Sequence, residues 1–349
     1  MHAELVGIDE DMIRLKDIAE KAQVSINTVS KALRDAPDIS QNTKSRIRRL
    51  ADELGYMPDG VARGLKNRTT KLLGLVISTT TDPVFSRMVM AIEEKAHELG
   101  YDLVLAHSLN IPEREDTVLR RLMGRRVDGL MVSPVYRLES NPTVYEEIFK
   151  EGIPTVILGH TAPFCGDFVN VETDDASASF AATAHLVEMG HKQIAFLSGP
   201  PAAPHARSRL EGYRRAIREA AMPEDDQLIF KAGSTIEEGE KAALQMLNEK
   251  CPATALHAMN DLVAIGAANV FLSQGLSIPR DMSIVGFGNV LISEHFKIPL
   301  TTIRQPKLRL GFEAMELMRS LLKGEKPKSR RLHAELIHRK STGPPRSTA

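Results

Sequence analysis

From Lys71 onward, short apolar runs alternate with longer amphipathic segments, and this alternation limits the chain to very few folds. Residues 72–77, 103–106, 129–132 and 155–158 read as buried strands, separated by helical patterns over 85–99, 113–124 and 143–150. The pattern restarts at 168–171. Strands follow at 193–197, 228–230, 255–258 and 283–285, with helices over 176–189, 207–221, 235–248 and 261–273. Such alternation implies parallel sheets covered on both faces. Two runs imply two Rossmann-like subdomains. Ligands bind these sheets outside the carboxyl ends of the strands, so the expected pocket is a cleft between the halves.

The N-terminal part follows another rule. The 349-residue chain is neutral overall, yet residues 12–71 carry a net +6, leaving −6 for the rest. A basic module on an acidic body is the asymmetry of a nucleic-acid-binding head. Leu15, Ile18, Ala19 and Ala22 fall at i, i+3, i+4, i+7, the stripe of a first helix. After a turn at Gln23, Val24, Val29 and Leu33 mark one face of a second helix that Ser25 can cap. A third helix runs from about Ser40 to Leu54 and stops at Gly55, with Ile47, Leu50, Ala51 and Leu54 inward. Two short helices joined by a tight turn form the helix-turn-helix pattern, whose second helix reads the DNA major groove. Charge alone would favour a generic three-helix bundle with a solvated basic face.

The motifs decide between these. Lys16-Asp17-Ile18-Ala19, Val24-Ser25, Thr28-Val29-Ser30, Leu54-Gly55-Tyr56, Pro58 and Ala62-Arg63-Gly64-Leu65 together resemble the head of the lac/galactose repressor family. The resemblance continues through Gly74-Leu75-Val76, Asp128-Gly129-Leu130, Gly190-His191-Lys192, Asn260-Asp261, Thr301-Thr302-Ile303-Arg304-Gln305-Pro306 and Arg339-Lys340-Ser341-Thr342, covering about residues 14–345. It implies a helix-turn-helix DNA-binding head with a hinge helix, then a periplasmic-binding-protein-like body of two parallel-sheet subdomains. It places Ile26, Asn27 and Lys31 at base-facing positions and Ser25, Thr28 and Ser30 at phosphate positions. Asn can pair bidentately with adenine and Lys can donate to guanine. Gln23 stands where glycine is usual.

The same resemblance makes residues 58–66 a hinge helix paired with its dimer mate at the operator centre. Leu65 would wedge into the minor groove, Val61 and Ala62 would face the partner hinge, and Lys66 would lie near the groove. Gly60 and Gly64 each cost a helix roughly 1 kcal/mol relative to Ala, so this segment is expected to fold on DNA. A plain interdomain linker is the alternative.

In the body, the loop after the first strand, with Thr80 and Phe85, resembles the family's dimer and effector loop. Asp174-Asp175 matches the family's Asp-Asn pair at the subdomain junction, with Asp174 taken as the site residue, and Arg209 matches the effector-contacting arginine, whose fixed fork of donors suits hydroxyls or an anion. His205 and Asn260 lie on loops at the same rim, and N-capping is the favoured role for Asp261. Gly288 occupies a position where the family usually has an effector-binding aspartate. That departure leaves a bulkier sugar, an anionic metabolite or no effector open.

The expected partition is 1–12 as an extension, 13–57 as the head, 58–70 as the hinge and 71–345 as the core. Within the core, subdomain 1 takes about 71–168 plus 301–327, and subdomain 2 about 169–300 plus 328–345. The implied partners are a double-stranded DNA operator, a small-molecule effector such as a sugar or related metabolite, and a second copy of the chain, as a homodimer or a tetramer. No cofactor and no metal site are expected, since Cys165 and Cys251 are too few for a disulfide framework or a zinc site. No apolar stretch approaches membrane length and no signal peptide is seen, so a cytoplasmic location is expected. An enzyme is disfavoured: Gly286-Phe287-Gly288 is only a fragment of a dinucleotide fingerprint and no phosphate-binding loop occurs. A transport-type binding protein would not need the head. A regulator answering to a partner protein stays open.

Overall fold

The computed structural model describes residues 13–56, 69–138 and 142–346. The chain forms two compact units, 1–70 and 71–349. The hinge segment, with Val61, Ala62, Leu65 and Lys66, lies outside the described residues, as does the extension 1–12.

The head consists of α1 (Leu15–Ala22), α2 (Ile26–Leu33) and α3 (Gln41–Glu53). Ile18, Val29, Ala32 and Ile47 are fully buried at its centre, with Leu15, Val24, Leu33, Leu50 and Leu54 packed around them. The Ser25 hydroxyl caps α2 by accepting from the Thr28 amide at 3.1 Å, and Ser40 caps α3 in the same way. Gln23 takes a left-handed conformation (φ 52°), so the turn is made without the usual glycine and at some strain. Gly55 (φ 67°) ends α3.

The body holds two six-stranded sheets. The first is built from β1 (Leu72–Ile77), α4 (Pro83–Glu98), β2 (Asp102–His107), α5 (Pro112–Gly124), β3 (Gly129–Val132), α6 (Thr143–Lys150), β4 (Thr155–Leu158) and β5 (Val169–Thr173). The second is built from α7 (Asp175–Glu188), β6 (Ile194–Ser198), α8 (Pro204–Glu219), β7 (Ile229–Lys231), α9 (Ile236–Asn248), β8 (Ala255–Ala258), α10 (Asp261–Ser273), β9 (Ser283–Gly288), α11 (Leu291–His295) and β10 (Thr301–Arg304). Then α12 (Lys307–Leu322) packs back on α4, β11 (Arg330–Leu332) joins the first sheet and β12 (Glu335–Ile337) joins the second.

The first sheet runs β11-β5-β4-β3-β1-β2 and is parallel throughout. The second runs β12-β10-β9-β8-β6-β7, with only β12 antiparallel. In each sheet the strand order reverses beside the first strand, between β1 and β3 and between β6 and β8. These are the switch points where adjacent loops diverge and leave a crevice.

The expected subdomain boundaries shift at three places, one of them at residues 330–332, which were expected in the second half but pair with β5 in the first sheet. Residues 169–173 close the first sheet rather than opening the second: Val169 pairs with Val156, and the Asn170 amide donates to the Gly159 carbonyl at 2.8 Å. The connection from β4 to β5 contains no α-helix, only a short 3-10 turn at Pro163–Cys165, so the sequence looked like a restart. Residues 301–304 belong to the second sheet, where Thr301 pairs with Val285, and the return to the first half begins with α12. The chain therefore crosses after β5, after β10 and after β11. The crossings are tied together, with the Asp174 amide donating to the Leu332 carbonyl at 2.8 Å and Gln305 donating to the Thr173 hydroxyl at 3.2 Å.

His257 on β8 sits fully buried in the second half, its Nδ1 2.9 Å from the Thr183 hydroxyl and its Nε2 without a partner. Burial, with the nearby Arg209 charge, lowers its pKa to about 3. The unfolded chain therefore takes up a proton that the folded chain refuses, at any pH between about 6.5 and that value. The stability contributed by neutral His257 is complete above the unfolded pKa. It declines as pH falls, by up to roughly 1.4 kcal/mol per unit. Urea midpoints between pH 7.5 and 5.0 are expected to fall less steeply for His257→Gln than for the native chain; parallel profiles would refute this.

Candidate functional site

A cleft of about 380 Å³ lies between the carboxyl ends of the two sheets. Loops from both switch points line it: Ser78, Thr79, Thr81 and Asp82 after β1, Ser133 and Tyr136 after β3, and Met259 and Asn260 after β8. Phe85, His205, Arg209 and Asn260 line it as expected from the sequence.

Arg209 is 6% exposed and its donors are largely committed. Nε and Nη2 donate to Asp175 Oδ1 at 3.2 and 3.0 Å, and Nη1 donates to the Met259 carbonyl at 2.7 Å. The guanidinium lies 3.7 Å above the Phe287 ring, a close cation–π contact. Burial raises the Asp175 carboxyl above its ordinary range, against the pull of Arg209 and His160. His205 is half-buried, and desolvation with the Arg209 charge pushes its imidazole well below the ordinary value.

Three expected residues lie elsewhere. Thr80 is exposed and outside the cleft: the Thr79 hydroxyl accepts from the Thr81 amide at 3.2 Å, a tight turn that leaves Thr80 at its tip while Thr79 and Thr81 line the pocket. Asp174 caps α7, accepting from the Ser177 amide at 3.2 Å, and its neighbour Asp175 faces the cleft instead. Gly288 does not line the cleft. Its φ of 135° favours glycine, and a Cβ there would begin 3.6 Å from Asp261 Oδ2, so a second carboxylate would meet like charge. The Gly288 carbonyl instead accepts from the buried Lys307 ammonium, whose pKa desolvation lowers to about 8.

Asn260, not Asp261, caps α10, accepting from the Val263 amide at 2.8 Å. Asp261 is the first helical residue, and its carboxylate accepts from the Val290 amide at 2.9 Å and from the Thr302 hydroxyl.

Sequence reasoning did not select Tyr136, His160, Glu172 or Phe287. The Tyr136 hydroxyl donates to the His160 carbonyl at 2.6 Å while its ring packs edge-on against His205 of the other half. Buried Glu115 fixes this loop by accepting from the Val135 amide at 2.7 Å and from Arg137 at 2.6 Å. His160 follows β4 directly, and its place just beyond a strand's carboxyl end was the one available signal.

On the head, α2 presents Ser25, Ile26 and Asn27 to solvent, with Thr28, Ser30 and Lys31 half-buried beside them. Ile26 is 52% exposed, which leaves an aliphatic side chain on the outer face of α2 free to meet a partner surface. The Ser25 hydroxyl also meets that of Thr28 at 2.9 Å, so the cap already uses it. The Lys31 ammonium pairs with the Asp38 carboxylate. Lys44 on α3 is buried and donates to the Asp35 carbonyl at 3.2 Å.

A helix-turn-helix head joined to a two-sheet ligand-binding body defines a DNA-binding regulator of the periplasmic-binding-protein-like type. Residues 14–59 match the bacterial regulatory proteins of the lacI family, and residues 183–342 match the periplasmic binding protein-like domain. The chain is 33% identical to the HTH-type transcriptional repressor CytR of Escherichia coli (strain K12), over 95% of this chain and 97% of that one. It is 34% identical to the HTH-type transcriptional repressor PurR of Actinobacillus pleuropneumoniae serotype 3 (strain JL03), over 95% and 98%. The lac repressor dimer bound to operator and the anti-inducer ONPF superposes with a TM-score of 0.86 at 28% identity, over 95% of this chain and 99% of that one. The chain belongs to the lacI family.

Arg209→Met strands Asp175 in a site that is 3% exposed. Breaking one side of a buried pair costs about 3–5 kcal/mol, whereas replacing both sides costs less. Urea unfolding without any ligand is expected to show the loss for Arg209→Met and partial recovery in Arg209→Met/Asp175→Leu. Equal losses in the two variants would count against the pair.

Proposed function

We propose that this chain is a transcriptional repressor that binds a near-palindromic operator as a homodimer and is controlled by a small molecule, a sugar or related metabolite, held in the inter-subdomain cleft. One observation carries the reading: the same chain exposes Ile26 and Asn27 on a capped helix and holds a cleft with both apolar and polar lining between two hydrogen-bonded halves. Ile26, Asn27 and Lys31 read bases; Ser25, Thr28 and Ser30 hold phosphates. The hinge residues Val61, Ala62, Leu65 and Lys66 work in the minor groove. Phe85, Arg209, His205 and Asn260 form part of the effector wall. The chain acts without catalysis and in the cytoplasm, where its DNA is.

Dimerisation is supported by β2, an edge strand of the first sheet. Leu105 on it, Leu109 and Ile111 beyond it and Met90 on α4 are all exposed apolar side chains. An unpaired edge flanked by apolar surface is what a second copy would cover. A solved relative is the CelR–cellobiose complex, at a TM-score of 0.72 and 26% identity, which supports a sugar-class effector. The effector acts by differential affinity for two arrangements of the halves. The three tied crossings make relative rotation of the halves the easiest motion.

Three outcomes test this. In gel-shift titrations at physiological salt, the full chain is expected to prefer its operator over random duplex, with affinity falling steeply as salt rises. Leu65→Ala is expected to weaken operator binding far more than non-specific binding; equal losses would remove the wedge. In the head, Asp38→Asn frees Lys31 and removes a negative charge from the DNA side. Operator affinity is expected to rise several-fold, and unchanged affinity would show that the Lys31–Asp38 pair opens at no cost.

A further inference from the structure

We propose that His160, Asp175 and His205, which meet across the cleft, set effector specificity and select an uncharged ligand with a hydrogen-bond donor beside an acceptor over its phosphorylated or carboxylated counterpart. The proposal rests on the effector reading above and narrows it.

The charged groups around the cleft are mostly spent. Arg209 is bound to Asp175, to Met259 and against Phe287. Glu172 accepts from Arg331 at 2.6 Å and from the Asn170 amide at 3.0 Å. Asp82 caps α4, accepting from the Val84 amide at 2.9 Å, and Asp261 is tied to Val290 and Thr302. Among the described lining residues, Asp82, Glu172, Asp175 and Asp261 face one full cation, Arg209. Arg331 on Glu172 and Lys307 near Asp82 and Asp261 offset part of that charge from outside the lining, so a phosphate or carboxylate entering here meets carboxylates on the wall and, as the one lining cation among the described residues, a guanidinium already paired. In a desolvated site that repulsion is screened poorly.

Three groups remain unspent. Asp175 is 3% exposed, and its Oδ2 has His160 Nδ1 at 3.6 Å, beyond hydrogen-bond length. The other ring nitrogen of His160 is 3.8 Å from Glu172. No ring nitrogen of His160 or His205 makes a hydrogen bond among the described residues, and the two rings are 6.4 Å apart. Asp175 Oδ2 and the half-buried rings of His160 and His205 all line the cleft with no hydrogen bond among the described residues, so their open donor and acceptor positions face whatever occupies it. A neutral imidazole offers one N–H and one bare nitrogen, while the carboxylate oxygen only accepts. A vicinal hydroxyl pair, or an amide-like edge, satisfies the carboxylate with its donor and an imidazole with its acceptor. His160 comes from the first half, Asp175 and His205 from the second, so such a ligand bridges the halves and favours closure.

The test uses the full chain with matched probes: ribose and ribose 5-phosphate, glucose and glucose 6-phosphate, galactose and galacturonate, inosine and its 5′-monophosphate. Melting temperature and operator anisotropy are read for each. A neutral member is expected to shift both saturably, its charged partner at least tenfold more weakly. His160→Leu and His205→Leu are each expected to weaken that neutral ligand at least tenfold. His160→Arg, which adds a cation with free donors, is expected to move the preference toward the charged member. The proposal is overturned if a charged member binds as well as its neutral partner, or if neither leucine variant weakens binding. Binding by charged members with a change in operator affinity leaves the effector reading standing and removes only this proposal. If no probe shifts either readout, the effector reading falls with it.

Discussion

The body depends on one buried pairing. Asp175 opens α7 and Arg209 lies within α8, and their contact joins the first helix of the second half to the helix packed beside it. The Ser179 hydroxyl donates to the Arg209 carbonyl at 2.6 Å, so backbone and side chain of Arg209 both serve the same interface. Two charges taken out of water are held when their mutual attraction is backed by further hydrogen bonds. Here Met259 after β8 and Phe287 on β9 complete the arginine's surroundings, which ties two strands of the second sheet to the same point. The cleft floor is therefore fixed before any ligand arrives, and the arginine that appeared to be a ligand clamp is in part a structural post.

The three crossings give the complementary freedom. Thr173, Asp174, Gln305 and Leu332 are joined by hydrogen bonds at the junction, while the two sheets above and below have separate apolar cores. Each half is internally close-packed and resists deformation. Motion is therefore directed into the junction, and a bridging ligand has two rigid bodies to bias.

The head shows how far a single helix can be read. The stripe from Leu15 to Ala22, the turn at Gln23, the Ser25 cap and the Gly55 stop were all legible, because helix period, capping and left-handed turns are local physics. The pairing of Lys31 with Asp38 was not, since it joins α2 to the segment that follows it through side-chain reach alone. The body repeated the lesson. Strand–helix alternation gave nearly every element, yet the ownership of 169–173, 301–304 and 330–332 went to the other half.

In the cleft, the sequence reached Phe85, His205, Arg209 and Asn260 and missed Tyr136 and His160. It also named Thr80, Asp174 and Gly288, each within one residue of a group that lines the pocket or, for Gly288, beside a carboxylate that already fills the role of local anion. A one-residue error reverses direction at a strand end or a helix cap, where the backbone turns sharply between neighbours. The sequence by itself determined what is periodic or local: the helices, the strands, their caps and the family to which these motifs belong. Only the tertiary structure decided which side chains were already spent on one another, because hydrogen bonds and ion pairs across the fold depend on distances that the order of residues does not contain.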